Sequence, residues 1–141
     1  KRFTPDYNMG LLLSCENGHL EIAQFAINCG ADNYVVCFLE ACSYGHFGIV
    51  QLLLKYCAPH MYPVRVHDPI NRGLQIVCRY GRLEITKLLI RHGANDFARC
   101  REIAYNNGHT DLVKLMFEHG GTPTQKQRAT IEGNKKRKIR H

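Results

Sequence analysis

The chain is predicted to be all-α, an array of about four stacked helix pairs with one long connecting loop, and three observations predict it. One pattern, a small residue, a glycine, an amphipathic run and a stop, occurs four times. The copies lie at Cys15–Asp32, Cys42–Ala58, Cys78–Asn95 and Tyr105–Gly121. Their turn glycines, Gly18, Gly45, Gly81 and Gly108, are spaced by 27, 36 and 27 residues. Self-similarity at a near-constant spacing marks a repeat architecture, in which each unit buries its apolar side only by stacking on a neighbour.

The first pair starts at Thr4-Pro5 by its residue types: Thr4 is suited to accept a bond from an early backbone N–H, and Pro5 to the first helical position. The helix runs to about Glu16, with Leu11, Leu12, Cys15 and Phe3 toward the core. Gly18 makes the turn. The second helix begins near Leu20 and presents Leu20, Ile22, Ala23, Phe25, Ala26 and Ile27 as its apolar face, leaving Glu21, Gln24 and Asn28 to water. Gly30 stops it.

The segments Gly18-His19-Leu20-Glu21-Ile22 and Gly30-Ala31-Asp32, with their three counterparts, resemble the ankyrin repeat, in which Gly-His-Leu-Glu-Ile-Val leads into the second helix and Gly-Ala-Asp closes it. The likeness covers roughly residues 4–121. The family's Thr-Pro-Leu-His is nowhere present intact. Units of 27 and 36 residues, against about 33 in an ordinary ankyrin unit, look more loosely like the hairpin-poor ankyrin arrays of large DNA viruses.

In both short units a capping residue follows the Gly-Ala stop: Asp32 or Asn33 in one, Asn95 or Asp96 in the other. The β-hairpin is therefore expected to be missing, with the next helices starting near Tyr34 and Phe97. The long connection from Cys57 to Leu74 holds Pro59, Pro63 and Pro69, which exclude helix through most of it. Asp68-Pro69 repeats the cap arrangement, and residues 60–67 alternate enough for an extended finger. Cys57 stands where a stop glycine is expected, so that helix must end by another route, with Pro59 as the candidate exit. The fourth unit, with Thr110 after Gly108-His109 and Arg99, Arg101 and Glu102 in its first helix, is polar enough to close an array. Residues 1–121 are read as the array and 122–141 as a basic tail, in which Thr122-Pro123-Thr124 is suited to start a short helix.

The 141 residues are 45% hydrophobic and 22% charged, a globular composition. No apolar run approaches the ~18 residues that span a bilayer, and no secretory signal opens the chain. Its first residue is Lys1, so the stretch is expected to be cut from a longer chain. Of seven cysteines, Cys15, Cys42 and Cys78 recur at one repeat position as small core residues, and an odd count opposes a disulfide framework. A reducing, intracellular compartment, cytoplasmic or nuclear, is expected.

No Cys-x-x-Cys pair, phosphate-cradling loop or activating signature is present, so no enzyme, cofactor or metal is expected. His19, His46 and His109 recur at one position and are read as bonding backbone at the start of the second helix. His60, His67 and Cys57 are the one local group with metal-ligand chemistry, and solvation is the expectation for them.

The net charge of +7 is uneven. From Lys126 to His141 seven Lys or Arg face the single Glu132. Lys126, Arg128, Lys135, Lys136, Arg137, Lys138 and Arg140 make this a solvated extension, a nuclear-import signal or a phosphate-neutralising segment, with no aromatic side chain to stack bases.

The resemblance implies a non-catalytic protein-interaction module that binds through first-helix side chains on the concave face and through the connections. The residues placed there are Tyr34, Glu40, Ser43, Gln75, Arg79, Arg99 and Glu102, with Tyr62, Arg65 and His67 of the 58–68 loop. The alternative is a structural subunit of a nucleoprotein assembly whose tail contacts RNA or DNA.

Overall fold

The computed structural model describes residues 5–57 and 68–120. These form eight helices in four antiparallel pairs: α1 (Tyr7–Asn17) with α2 (Leu20–Asn28), α3 (Tyr34–Tyr44) with α4 (Phe47–Leu54), α5 (Pro69–Tyr80) with α6 (Leu83–Arg91), and α7 (Phe97–Asn106) with α8 (Thr110–His119). The odd-numbered helices pack directly on one another, α1 on α3, α3 on α5 and α5 on α7. The even-numbered helices meet their neighbours far more sparsely. A row packed tightly on one side and loosely on the other bends, so the odd-numbered helices form the inner row.

The core follows the repeat. Leu11, Phe38 and Leu74 hold one inner-helix position and are fully buried, as are Cys15, Cys42 and Cys78 one turn later. Ala23 and Val50, with Leu53, Leu89 and Met116, fill the space beneath the outer helices. Thr86, also fully buried, satisfies its hydroxyl on the Arg82 carbonyl at 2.7 Å. Among the described residues one ion pair, Lys87 with Glu84 at 3.6 Å, is recorded. It is exposed, so apolar stacking and not charge holds the pairs together.

Several expectations from residue type are corrected. The first helix begins at Tyr7, not at Pro5, because the Asp6 carboxylate accepts the Met9 N–H at 3.0 Å and takes the capping role; Thr4 lies outside the described residues. Leu20, Ile22 and Phe25 do not face the core: they are 45%, 53% and 62% exposed, and Ala23, Ala26 and Ile27 make the buried stripe alone. Asn33 and Asp96 stand at the N-caps of α3 and α7 but make no side-chain cap bond. Helix α4 closes at Leu54, and the Cys57 N–H bonds the Leu53 carbonyl, so the chain leaves that helix before Pro59 is reached. Pro59 lies outside the described residues. Asp68 caps α5 through the N–H groups of Ile70 and Asn71, with Pro69 at the first position, as its residue types dictate.

The two short units are closed by asparagines instead of hairpins. Asn8 donates to the Asp32 carboxylate at 3.1 Å and accepts the Asp32 N–H at 2.9 Å. Asn71 repeats this 24 residues apart, donating to the Asn95 side chain and accepting from the N–H groups of Asn95 and Asp96. Val35 holds that place before the 36-residue unit and offers no such clamp. Residues 29–33 and 92–96 therefore cross to the next inner helix with no strand.

Register also matches bulk to space. A methyl carbon on Gly73 would lie 2.8 Å from the Phe38 ring and 3.3 Å from the Cys42 sulfur, whereas around Gly10, at the same position of the first pair, nothing lies within 4 Å. Gly73→Ala is expected to cost about 1–3 kcal/mol in urea unfolding through overpacking. Gly10→Ala is expected to gain about 0.5–1 kcal/mol from helix propensity. Asn71→Ala, which frees two backbone N–H groups, is expected to cost about 1–2 kcal/mol in the same measurement.

Candidate interaction surface

Each inner helix leaves the same positions uncovered. Met9, Val36, Arg72 and Arg99 share one register position and all are exposed. Leu13, 49% exposed, stands a turn beyond Met9. Tyr44 and Tyr80, each 51% exposed, share a position beside the turn glycines. Arg79 is exposed next to Tyr80, and Glu102 is exposed on α7. Because the inner helices lie side by side, these side chains form one surface. Its first half is apolar, with Met9, Leu13 and Val36, and its second half carries guanidinium groups, with Arg72, Arg79 and Arg99.

The structure spreads the predicted partner-binding residues over different roles. Arg79, Arg99 and Glu102 lie on this exposed surface. Tyr34 is half-buried and stacks on Tyr56 with ring centroids 4.6 Å apart. Gln75 is half-buried and donates to the Asp96 carboxylate at 3.0 Å, fastening α5 to the loop before α7. Glu40 and Ser43 are half-buried on α3, and the Ser43 carbonyl accepts from the Arg82 guanidinium. Tyr62, Arg65 and His67 of the long connection lie outside the described residues, and so do His60 and the tail residues Lys126, Arg128, Lys135, Lys136, Arg137, Lys138 and Arg140. Reading from residue type missed Met9, Leu13, Val36, Arg72, Tyr44 and Tyr80. Aligning the four units groups Met9, Val36, Arg72 and Arg99 at one position and Tyr44 with Tyr80 at another.

The position after the turn glycine has a different task from the expected one. His46 Nε2 lies 3.0 Å from the Glu16 carbonyl, and His109 Nε2 lies 2.9 Å from the Arg79 carbonyl, both in the preceding repeat. Carbonyls only accept, so each Nε2 carries the proton. Arg82 does the same, donating from Nη2 to the Ser43 carbonyl at 3.1 Å. These side chains bond the neighbour's backbone, not the start of their own helix, because carbonyls in the last turn of the inner helix lack intrahelical donors. The turn glycine provides the room: at Gly81, with φ +74, a methyl carbon would lie 2.7 Å from the His109 ring.

A groove of about 550 Å³ opens on the other side between α2 and α4, along Leu20, Gln24, Gly48, Gln51 and Leu52. It exists because Gly48 occupies the place where Glu21, Glu84 and Asp111 stand in the other outer helices.

Ionisation is suppressed at four of the buried thiols. Cys15 is hydrogen-bonded to Cys37 and buried, and Cys100 is hydrogen-bonded to Cys78 and buried; both are held far above the ordinary thiol range. Burial raises Cys42, and it pushes Cys57 from 9.0 up to about 12. Among the described residues no group of three or more His, Cys, Asp or Glu side chains is placed to hold a metal, and no helix is long and apolar enough to cross a membrane. At pH 8 an aromatic disulfide reagent is expected to modify Cys29 alone in the folded protein, and the other six cysteines only after denaturation. A thiol raised on folding stabilises fully below its unfolded value, so the Cys57 contribution is expected to persist below pH 9.0 and to be lost as the pH rises toward about 12.

Comparison with known proteins agrees with the geometry. A family model described as Ankyrin repeat matches residues 74–101, from α5 through α6 into α7. A curated relative from Caenorhabditis elegans, the ankyrin repeat and KH domain-containing protein mask-1, is 30% identical over 129 residues. The match covers 82% of this chain and 5% of the relative, so the chain spans a small part of that protein's length.

Proposed function

Because this chain is an ankyrin-repeat protein, of a family whose members act as non-catalytic interaction modules, we propose that it binds a protein partner across its inner-helix surface. The observation that carries this reading is the exposed row on α1, α3, α5 and α7, apolar at Met9, Leu13 and Val36 and cationic at Arg72, Arg79 and Arg99. Such a row suits a segment that presents apolar side chains at one end and carboxylates at the other. Tyr44 and Tyr80 supply large amphipathic contact area at its edge, and Tyr and Arg are the usual anchors of interfaces. Glu102 and the half-buried Glu40 disfavour partner carboxylates beside them. The cysteines are free and six of the seven are buried, which suits work in a reducing compartment, cytoplasmic or nuclear.

The nucleoprotein alternative rests on the charge of residues 126–141 alone. Arg72→Glu with Arg99→Glu, and separately Met9→Asp with Val36→Asp, are each expected to lower partner capture from native lysate by at least about tenfold. Circular dichroism and melting temperature are expected to stay unchanged, since all four side chains are exposed. Deleting residues 126–141 is expected to leave that capture intact. Unchanged capture by both double variants would remove the proposed surface, and capture lost on tail deletion or nuclease treatment would favour the alternative.

A further inference from the structure

The repeat register identifies the positions that each helix pair turns toward the pair before it. Ile49, Ile85 and Leu112 share one such position and are 1%, 3% and 0% exposed, whereas Ile22, at that position in the first pair, is 53% exposed. Leu52 and Leu88 are 8% and 4% exposed, and their counterpart Phe25 is 62%. Cys37 and Cys100 are fully buried and Gly73 lies against Phe38, but the space around Gly10 is open. His46, Arg82 and His109 each reach a carbonyl of the preceding inner helix. His19 is exposed, and among the described residues it meets no such carbonyl.

We propose that this face of α1 and α2 is a stacking surface for one more helix pair of the same repeat type, joined to Asp6 in the same polypeptide. The interface it would complete already occurs three times within the chain. Ile22 and Phe25 supply the apolar contacts, the open space at Gly10 admits a large inner-helix side chain, and His19 supplies the donor for a last-turn carbonyl. The route into α1 matches as well. Asp6 holds the register position of Asn33 and Asp96, and its backbone (φ −89°, ψ 88°) resembles theirs (φ −81°, ψ 52° and φ −79°, ψ 56°). Asn33 and Asp96 are each reached from a preceding pair.

A second copy of this chain fits the face poorly. In the fourth pair Arg101 stands where Leu11, Phe38 and Leu74 present their apolar side chains to the next unit, and its guanidinium lies 4.7 Å above the Phe117 ring. Its Nε and Nη1 are already buried without a hydrogen-bond partner, and Ile22 and Phe25 have no acceptor to offer them.

The test extends the full chain by duplicating Asp68–Asn95 immediately ahead of Asp6. A single cooperative melt is expected, at least about 5 °C above that of the parent. Ile22→Ala with Phe25→Ala is expected to lower the extended protein by at least about 5 °C while moving the parent by less than about 2 °C. Two separate transitions with the parent's midpoint unchanged, or equal effects of the double variant in both proteins, would overturn the proposal. A second comparison does not depend on the extension folding. Ile22→Asp is expected to leave the parent's midpoint within about 2 °C, whereas Ile85→Asp unfolds it. Equal loss in both, or a concentration-dependent dimer of the parent abolished by Phe25→Asp, would also defeat it.

Discussion

A backbone carbonyl near the end of each of α1, α3 and α5 has no donor within its own helix, and the next repeat supplies one. Glu16, Ser43 and Arg79 are served in turn by His46, Arg82 and His109. The bond requires the donor's side chain to cross directly over the turn of the preceding pair, where only a residue without a Cβ leaves room. One local constraint, an orphaned carbonyl at a left-handed turn, is thereby converted into a link between units. Apart from the side chains that fasten the crossing loops, Asn8, Asn71 and Gln75, the remainder of the interface is apolar, with the Phe38 ring against Gly73.

The same interface explains where the chain accepts irregular spacing. Units of 27 residues need the chain to pass from one outer helix to the next inner helix without a hairpin. Asn8 and Asn71 make this passage possible by accepting loop N–H groups that would otherwise pair within a strand and by donating to the Asp32 and Asn95 side chains. The 36-residue unit has Val35 at that place, and its inner helices α3 and α5 pack as closely as the others. Loop length varies, and inner-row packing does not.

The proposed partner surface and the stacking surface use opposite parts of one repeat. Stacking consumes the side chains that turn toward neighbours, and it leaves uncovered the positions of Met9, Val36, Arg72 and Arg99, which are free to differ because nothing packs on them. The same separation places the recurrent cysteines, Cys15, Cys42 and Cys78, in the core. They face neighbouring units in an apolar setting, where the Cys37 hydrogen bond and burial hold the Cys15 thiol, and burial the Cys42 thiol, in the protonated form.

The sequence by itself determined the helix pairs, the turn glycines, the absence of hairpins after Ala31 and Ala94, the cap at Asp68 and the core role of Cys15, Cys42 and Cys78. Each is a local matter of backbone conformation or of a periodicity carried by adjacent residues. Less of the surface was legible: Arg79, Arg99 and Glu102 lie exposed on the inner helices, but Tyr34 and Gln75 are engaged in packing and loop fastening. Only the tertiary structure decided that Ile22 and Phe25 lie open while Ile85 and Leu88 do not, since all four look alike on a helical wheel and differ only in having a neighbour. It also decided that the residue after each glycine bonds backward to another unit, a contact between residues 30 to 39 positions apart that no local pattern encodes.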